Sequence, residues 1–145
     1  MRGCARLSVS LCLVLLIFPT SLAHAAHKSD AWARTQFATA EKMRATLNDR
    51  PEDERTRREY QFVISVYRSV YFGAPTCSKA DASVLAVADL LAESGRRFED
   101  DHALRSAIGR YEFLRREYPG SRYRFEALFA IGHRKRVFEL LSQSG

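Results

Sequence analysis

Side chains that could do chemistry are sparse in this chain, and they form no catalytic pattern. After residue 25 the histidines are His27, His102 and His133, and no pair has the spacing of zinc ligands. The sequence contains neither a Gly-x-Ser-x-Gly turn nor a glycine-rich phosphate loop. Cys77 is the one cysteine of this part, so it cannot form a bridge within the chain, and we interpret it as a small turn residue. We therefore predict no catalytic residue, no metal site and no cofactor.

Arginine and aromatic residues instead suggest a binding surface. Guanidinium groups bind carboxylates with paired hydrogen bonds, so arginines along one helical surface could hold the acidic end of a peptide. Phe72 and Phe113 lie off the main apolar stripes and are expected at the surface, whereas the stripe aromatics are expected in the core. The alternative is that the arginines only solvate a helix face. The residues that we expect to contact a partner are Arg68, Arg110, Phe113, Arg115 and Arg116.

The elements that would position these residues are helices. From residue 26 onward, apolar residues recur at every third or fourth position, which is the period of an amphipathic helix. Ser29 and Ser78 are expected to cap helices, Pro51 to begin one, and Gly95 to end one. We predict an all-α chain of about five helices, over residues 30–48, 52–72, 79–94, 101–118 and from 121 onward.

The fifth helix has an unusual distribution of apolar residues. Its expected buried side is marked by Tyr123, Phe125, Leu128, Phe129 and Gly132. Lys135 and Arg136 then interrupt this stripe, and a second apolar group follows. We expect an apolar patch without a neighbouring helix, through which the chain could self-associate, near Phe125, Phe129, Val137 and Leu140.

The first 25 residues have the pattern of a signal peptide. Arg2 and Arg6 precede an apolar run over residues 7–16, and Ala23 and Ala25 supply the small residues before a cleavage site at Ala26. The run is shorter than the roughly 20 residues that a bilayer needs, so no stable membrane span is expected after cleavage. The predicted location is periplasmic or secreted. The net charge of +6 is modest, and an exported protein is not expected to bind nucleic acid.

The chain also contains an internal repeat. Pro75 and Pro119 lie 44 residues apart, and each is preceded by a tyrosine at the eighth position upstream, Tyr67 and Tyr111. A repeated helix–proline–helix unit is typical of α-helical repeat proteins. The second unit resembles the tetratricopeptide repeats of bacterial envelope proteins, at the residues Tyr118, Pro119, Ser121, Ala127, Phe129 and Gly132.

A longer resemblance covers residues 31–132. This region is similar to the helical repeats at the front of some bacterial N-acetylmuramoyl-L-alanine amidases. In that family an export signal and repeats precede a targeting domain and a zinc-dependent catalytic domain, neither of which this sequence contains. The resemblance implies four segments: a signal peptide (1–25), an N-terminal helix (26–50), two tetratricopeptide-like helical hairpins (51–141) and a tail (142–145).

The sequence thus predicts an exported, non-catalytic helical-repeat module for protein–protein interaction in the cell envelope. Its partner would be an envelope protein or peptide. The alternative is the truncated N-terminal part of a zinc-dependent peptidoglycan amidase whose catalytic domain is missing.

Overall fold

The computed structural model describes residues 27–143, and all regular structure in this range is helical. A single turn of 3-10 helix, Glu52–Glu54, lies between the first two α-helices. The prediction of an all-α chain with five helices is confirmed for these residues. The predicted signal peptide, and the side chains of Val137 and Leu140, lie outside the part that the structure describes. The helices are α1 Asp30–Asn48, α2 Arg57–Gly73, α3 Ala80–Arg97, α4 Asp101–Glu117 and α5 Arg124–Gln143.

Side-chain caps determine where the first two helices begin. Ser29 caps α1 as predicted, accepting a hydrogen bond from Trp32 N at 3.2 Å. The second helix begins later than predicted, because Thr56 and Glu59 form a capping box. Thr56 N donates to Glu59 Oε2 at 2.7 Å, and Glu59 N donates to Thr56 Oγ1 at 3.3 Å. The predicted single helix over 52–72 is therefore a short 3-10 turn followed by α2.

The ends of α3 differ from the prediction. Ser78 does not cap this helix, because its N and Oγ both donate to Asp30 Oδ1, at 2.8 and 2.9 Å. Gly95 does not end it either: α3 continues to Arg97, and the residue with a left-handed backbone conformation is Glu99, at φ 51°. Gly95 is instead a buried position of close helix contact.

The last two helices begin after polar turns. Asp100 caps α4 by accepting from Ala103 N at 3.0 Å, close to the predicted start. Ser121 was predicted to begin the fifth helix, but α5 begins at Arg124. Ser121 lies in the preceding turn, where its Oγ donates to Asp81 Oδ2 at 2.7 Å and ties the turn to α3.

Consecutive helices pack side by side, from α1 against α2 through to α4 against α5. The central helix, α3, has the most buried residues, since it lies between α2 and α4. A continuous apolar core runs through all five helices, and its largest fully buried side chains are the rings of Tyr60, Tyr67 and Tyr111.

The sequence repeat corresponds to a repeated contact. Tyr67 on α2 donates its hydroxyl to the carboxylate of Glu41 on α1, and Tyr111 on α4 donates to Asp89 Oδ1 on α3 at 2.6 Å. Both rings are fully buried, and a carboxylate on the preceding helix accepts the hydrogen of each hydroxyl. Two residues 44 positions apart thus occupy equivalent environments on successive helix pairs.

The buried side of α5 is not the one predicted. Ala127 and Ile131 are buried against the preceding helix, whereas Phe125, Leu128 and Phe129 are exposed. Gly132 is exposed as well, and Tyr123 is half-buried. The small Ala127 lets the backbone of α5 approach its neighbour closely, which bulky aromatic residues on the same side would prevent.

Candidate binding groove

A groove of about 370 Å³ lies between α2 and α4, with α3 contributing to its wall. Its apolar part comes from Ile64, Val87 and Leu91, and its cationic part from Arg68 and Arg110. Positions 57, 61, 64, 65 and 68 on α2 follow the helical period, so they share one face. The uncharged polar residues of the lining are Gln61, Ser65, Ser94 and Ser106.

Arg68 and Arg110 come from different helices and meet at one groove. Neither guanidinium forms an ion pair with any carboxylate of the described residues. The Arg68 guanidinium lies 5.6 Å from the centre of the Phe72 ring, and that of Arg110 lies 5.9 Å from the Phe113 ring. Ring faces attract cations but leave the N–H groups at the guanidinium edge free to donate to a ligand.

The hydroxyl of Tyr71 lies near these two arginines. Tyr71 is 2% exposed, and its hydroxyl has no hydrogen-bond partner among residues 27–143. Burial raises the pKa of this hydroxyl, while the positive charges of Arg110 and Arg68, and the closeness of the Arg68 N–H groups to the hydroxyl, act in the opposite direction. A buried hydroxyl left without a partner costs about 1–3 kcal/mol. Two cations without a carboxylate partner thus lie at this end of the groove.

The opposite end of the groove is electrically balanced. There Arg57 forms an ion pair with Asp100, and its guanidinium lies 4.9 Å from the Phe98 ring. The hydrogen bond from Ala103 N, together with the charge of Arg57, holds the pKa of Asp100 below its usual value. The uncompensated positive charge of the groove is therefore concentrated at the Arg68 and Arg110 end.

The remaining predicted partner-binding residues lie outside the groove lining. Phe113 is half-buried rather than at the surface, because its ring packs against two tyrosines. The centre of the ring lies 6.1 Å from that of Tyr71 and 6.3 Å from that of Tyr118. Arg115 is exposed and is not part of the lining. Arg116 is exposed, pairs with Glu117 at 2.7 Å and lies 5.9 Å from the Phe113 ring. Successive helix positions differ by about 100° in direction, so residues five and six positions after Arg110 face elsewhere.

A second cavity, of about 280 Å³, lies between α1 and α2 and is mainly apolar. Met43, Leu47 and Val63 line it, and the charges at its edge, Arg50 and Glu59, are paired with each other. It therefore lacks the unpaired charge that gives the α2–α4 groove a preference for a ligand.

Neither a cluster of metal-ligating side chains nor a helix suited to a membrane is present within residues 27–143. No group of three or more His, Cys, Asp or Glu side chains is arranged to hold a metal ion, and none of the helices there is both long and apolar enough to cross a membrane. Cys77 is a half-buried free thiol in the turn between α2 and α3.

Comparison with known proteins gave no relative. No protein-family model matches the sequence, and no curated protein or solved structure matches the chain. The likeness to tetratricopeptide regions and to the front of the amidases rests on the residues alone and stays a prediction.

Proposed function

We propose that this chain is a non-catalytic helical binding module that holds a peptide or protein by a carboxylate in the groove between α2 and α4. The observation that carries the proposal is the presence at one groove of two guanidinium groups, Arg68 and Arg110, that form no ion pair with a carboxylate of the described residues. A carboxylate has two oxygens that accept hydrogen bonds, so it suits both the charge and the donor groups at this end.

The rest of the groove suits an extended peptide. Leu91, with the small exposed part of Ile64, offers an apolar surface for one side chain, while Gln61 and Ser65 offer side-chain hydrogen bonds to a backbone. Such a combination of apolar surface and a few placed polar groups is typical of ligand sites. We propose a partner that has a free C-terminal carboxylate and an apolar side chain on its last residue.

Two features support the wider assignment to an exported helical-repeat module of the cell envelope. The repeated tyrosine–carboxylate contact of Tyr67 and Tyr111 favours tetratricopeptide-like hairpins. The signal-peptide pattern of residues 1–25 favours an envelope partner.

The test compares two peptide pools that differ at one group. Pooled hexapeptides with free C-terminal carboxylates, and the same pool with C-terminal amides, are passed over the immobilised chain, and the retained peptides are counted by mass spectrometry. We expect the retained peptides to be those that have a free C-terminal carboxylate and an apolar C-terminal side chain. Equal retention of both pools would overturn the proposal.

Matched arginine substitutions test the position of the site. Arg68→Gln and Arg110→Gln should each weaken binding of an enriched peptide by at least about fivefold, because each removes one charged hydrogen-bond donor group. Arg115→Gln makes the same change in charge outside the groove and should leave binding unchanged. An equal loss for all three would indicate attraction to net charge rather than a site.

A further inference from the structure

The outward face of α5 is apolar although its large side chains are exposed. Phe125 is 69% exposed, Leu128 47% and Phe129 76%. The opposite side of the same helix, with Ala127 and Ile131, is already buried. α5 is therefore apolar on two sides, and only one of them is explained by the packing of the fold.

Positive charges surround this outward face. Between positions 122 and 136 the sequence has five Lys and Arg residues and one acidic residue, Glu126. The Arg124 guanidinium lies 4.9 Å from the centre of the Phe125 ring, so the cation and the ring are presented together. The basic residues of this stretch that the structure shows exposed are Arg122, Arg124, Lys135 and Arg136. Lys135 pairs with Glu112 of α4 at 3.3 Å, so the charge offered by this face comes from the arginines.

We propose that the outward face of α5 binds peripherally to an anionic lipid surface. Phe125 and Phe129 would enter the boundary between headgroups and acyl chains, and the flanking arginine side chains would contact lipid phosphates. Exposed aromatic residues combined with basic residues are the composition of helices that lie in the membrane interface. This site is separate from the α2–α4 groove, so each can fail without the other.

The shape and charge of α5 favour a lipid surface over a protein occupant. The main packing neighbour of α5 among the described residues is α4, so the exposed side of α5 forms a ridge rather than a groove that could receive a partner helix. A second copy of the chain would bring two groups of like charges together, which opposes association. A bilayer surface deforms around a ridge and supplies the negative charge that this face lacks.

The first test uses flotation with vesicles of defined composition. The full chain should float with vesicles of phosphatidylglycerol and phosphatidylethanolamine in equal parts, and far less with phosphatidylcholine alone. Replacing Phe125 and Phe129 together by serine should weaken binding by roughly tenfold or more, because each ring contributes buried apolar area. The control replaces Phe62 and Phe72 of α2, exposed to 63% and 61%, by serine and should leave vesicle binding unchanged.

Charge substitutions supply an independent arm of the same experiment. Arg124→Gln and Arg136→Gln should each weaken binding by roughly fivefold at low salt, the effect expected for one basic residue near an anionic surface. Arg96→Gln, an exposed arginine on α3, is the matched control. Binding that is insensitive to both the phenylalanine and the α5 charge substitutions would overturn the proposal.

A local probe removes any contribution of residues 1–25 to vesicle binding. Phe129→Trp should be quenched by brominated lipids in the anionic vesicles, whereas Phe62→Trp should show no more quenching than the unmodified chain. Equal quenching at the two positions would contradict the proposed orientation. Dimerisation that Phe125→Ser abolishes, in a chain that does not bind vesicles, would assign the face to a second copy instead.

Discussion

Two kinds of buried tyrosine distinguish this molecule at the level of single residues. Tyr67 and Tyr111 give their hydroxyl hydrogens to carboxylates, whereas Tyr71 is buried with an unpartnered hydroxyl. A satisfied buried hydroxyl contributes about 1 kcal/mol to stability, and an unsatisfied one costs a similar amount or more. The Tyr71 ring packs with its centre 4.6 Å from that of Phe72 and 6.1 Å from that of Phe113, so its contribution to stability comes from the ring and not from the hydroxyl.

The corresponding prediction compares Tyr67→Phe with Tyr71→Phe. Tyr67→Phe should lower the free energy of unfolding by about 1 kcal/mol, since it removes the hydrogen bond to Glu41. Tyr71→Phe should leave the free energy of unfolding unchanged or raise it by up to about 1 kcal/mol, since it removes a buried hydroxyl without a partner. Urea unfolding followed by circular dichroism measures both effects. A loss of stability at Tyr71→Phe equal to that at Tyr67→Phe would show that the hydroxyl has a partner.

At the level of elements, the start of α2 depends on a reciprocal cap. Thr56→Ala removes the hydroxyl that accepts from Glu59 N and should destabilise the chain by about 1 kcal/mol. Thr39→Ala is the matched control, because Thr39 is exposed within α1 and its hydroxyl only donates to Thr35 O at 3.0 Å. Alanine is the better helix former there, so this change should be neutral or stabilising. Similar losses in urea unfolding at both positions would contradict a specific role for the cap.

Helix identity was predictable from sequence, but the assignment of caps was not complete. The period of apolar residues gave five helices, and Ser29 was the correct cap of α1. Ser78 was assigned wrongly because its partner, Asp30, is distant in sequence and only the fold brings them together. The box formed by Thr56 and Glu59 was readable from spacing alone, and it would have placed the start of α2 correctly.

The groove was predictable only in part. Arg68 and Arg110 were identified as partner-binding candidates, but their meeting depends on how α2 and α4 pack around α3. No sequence signal marks the unpartnered hydroxyl of Tyr71, since its ring belongs to the same apolar stripe as the core tyrosines. The prediction of the buried side of α5 was wrong because the helix has two apolar sides, and periodicity alone does not choose between them.

At the level of the whole molecule, the packing of α3 against α4 depends on a glycine. A β-carbon at Gly95 would lie 2.7 Å from Cγ and Cδ2 of Leu104, and 3.0 Å from its backbone nitrogen. These distances are shorter than van der Waals contact, and the backbone atom cannot be moved by a change of rotamer. The missing side chain therefore sets how closely the two helices approach, and through them the spacing of the groove walls on α2 and α4.

Two substitutions, Gly95→Ala and Gly109→Ala, test this contact by their opposite expected effects on the free energy of unfolding. Gly95→Ala should destabilise the chain by about 1–3 kcal/mol, as overpacking in a close contact does. Gly109 lies on α4 with no atom near its would-be β-carbon, so Gly109→Ala should instead stabilise by about 0.5–1 kcal/mol through helix propensity. Leu104→Ala should recover part of the loss at Gly95→Ala, and the double-mutant cycle in urea unfolding measures that coupling. A gain at Gly95→Ala similar to that at Gly109→Ala would mean that the α3–α4 distance is not fixed by this glycine.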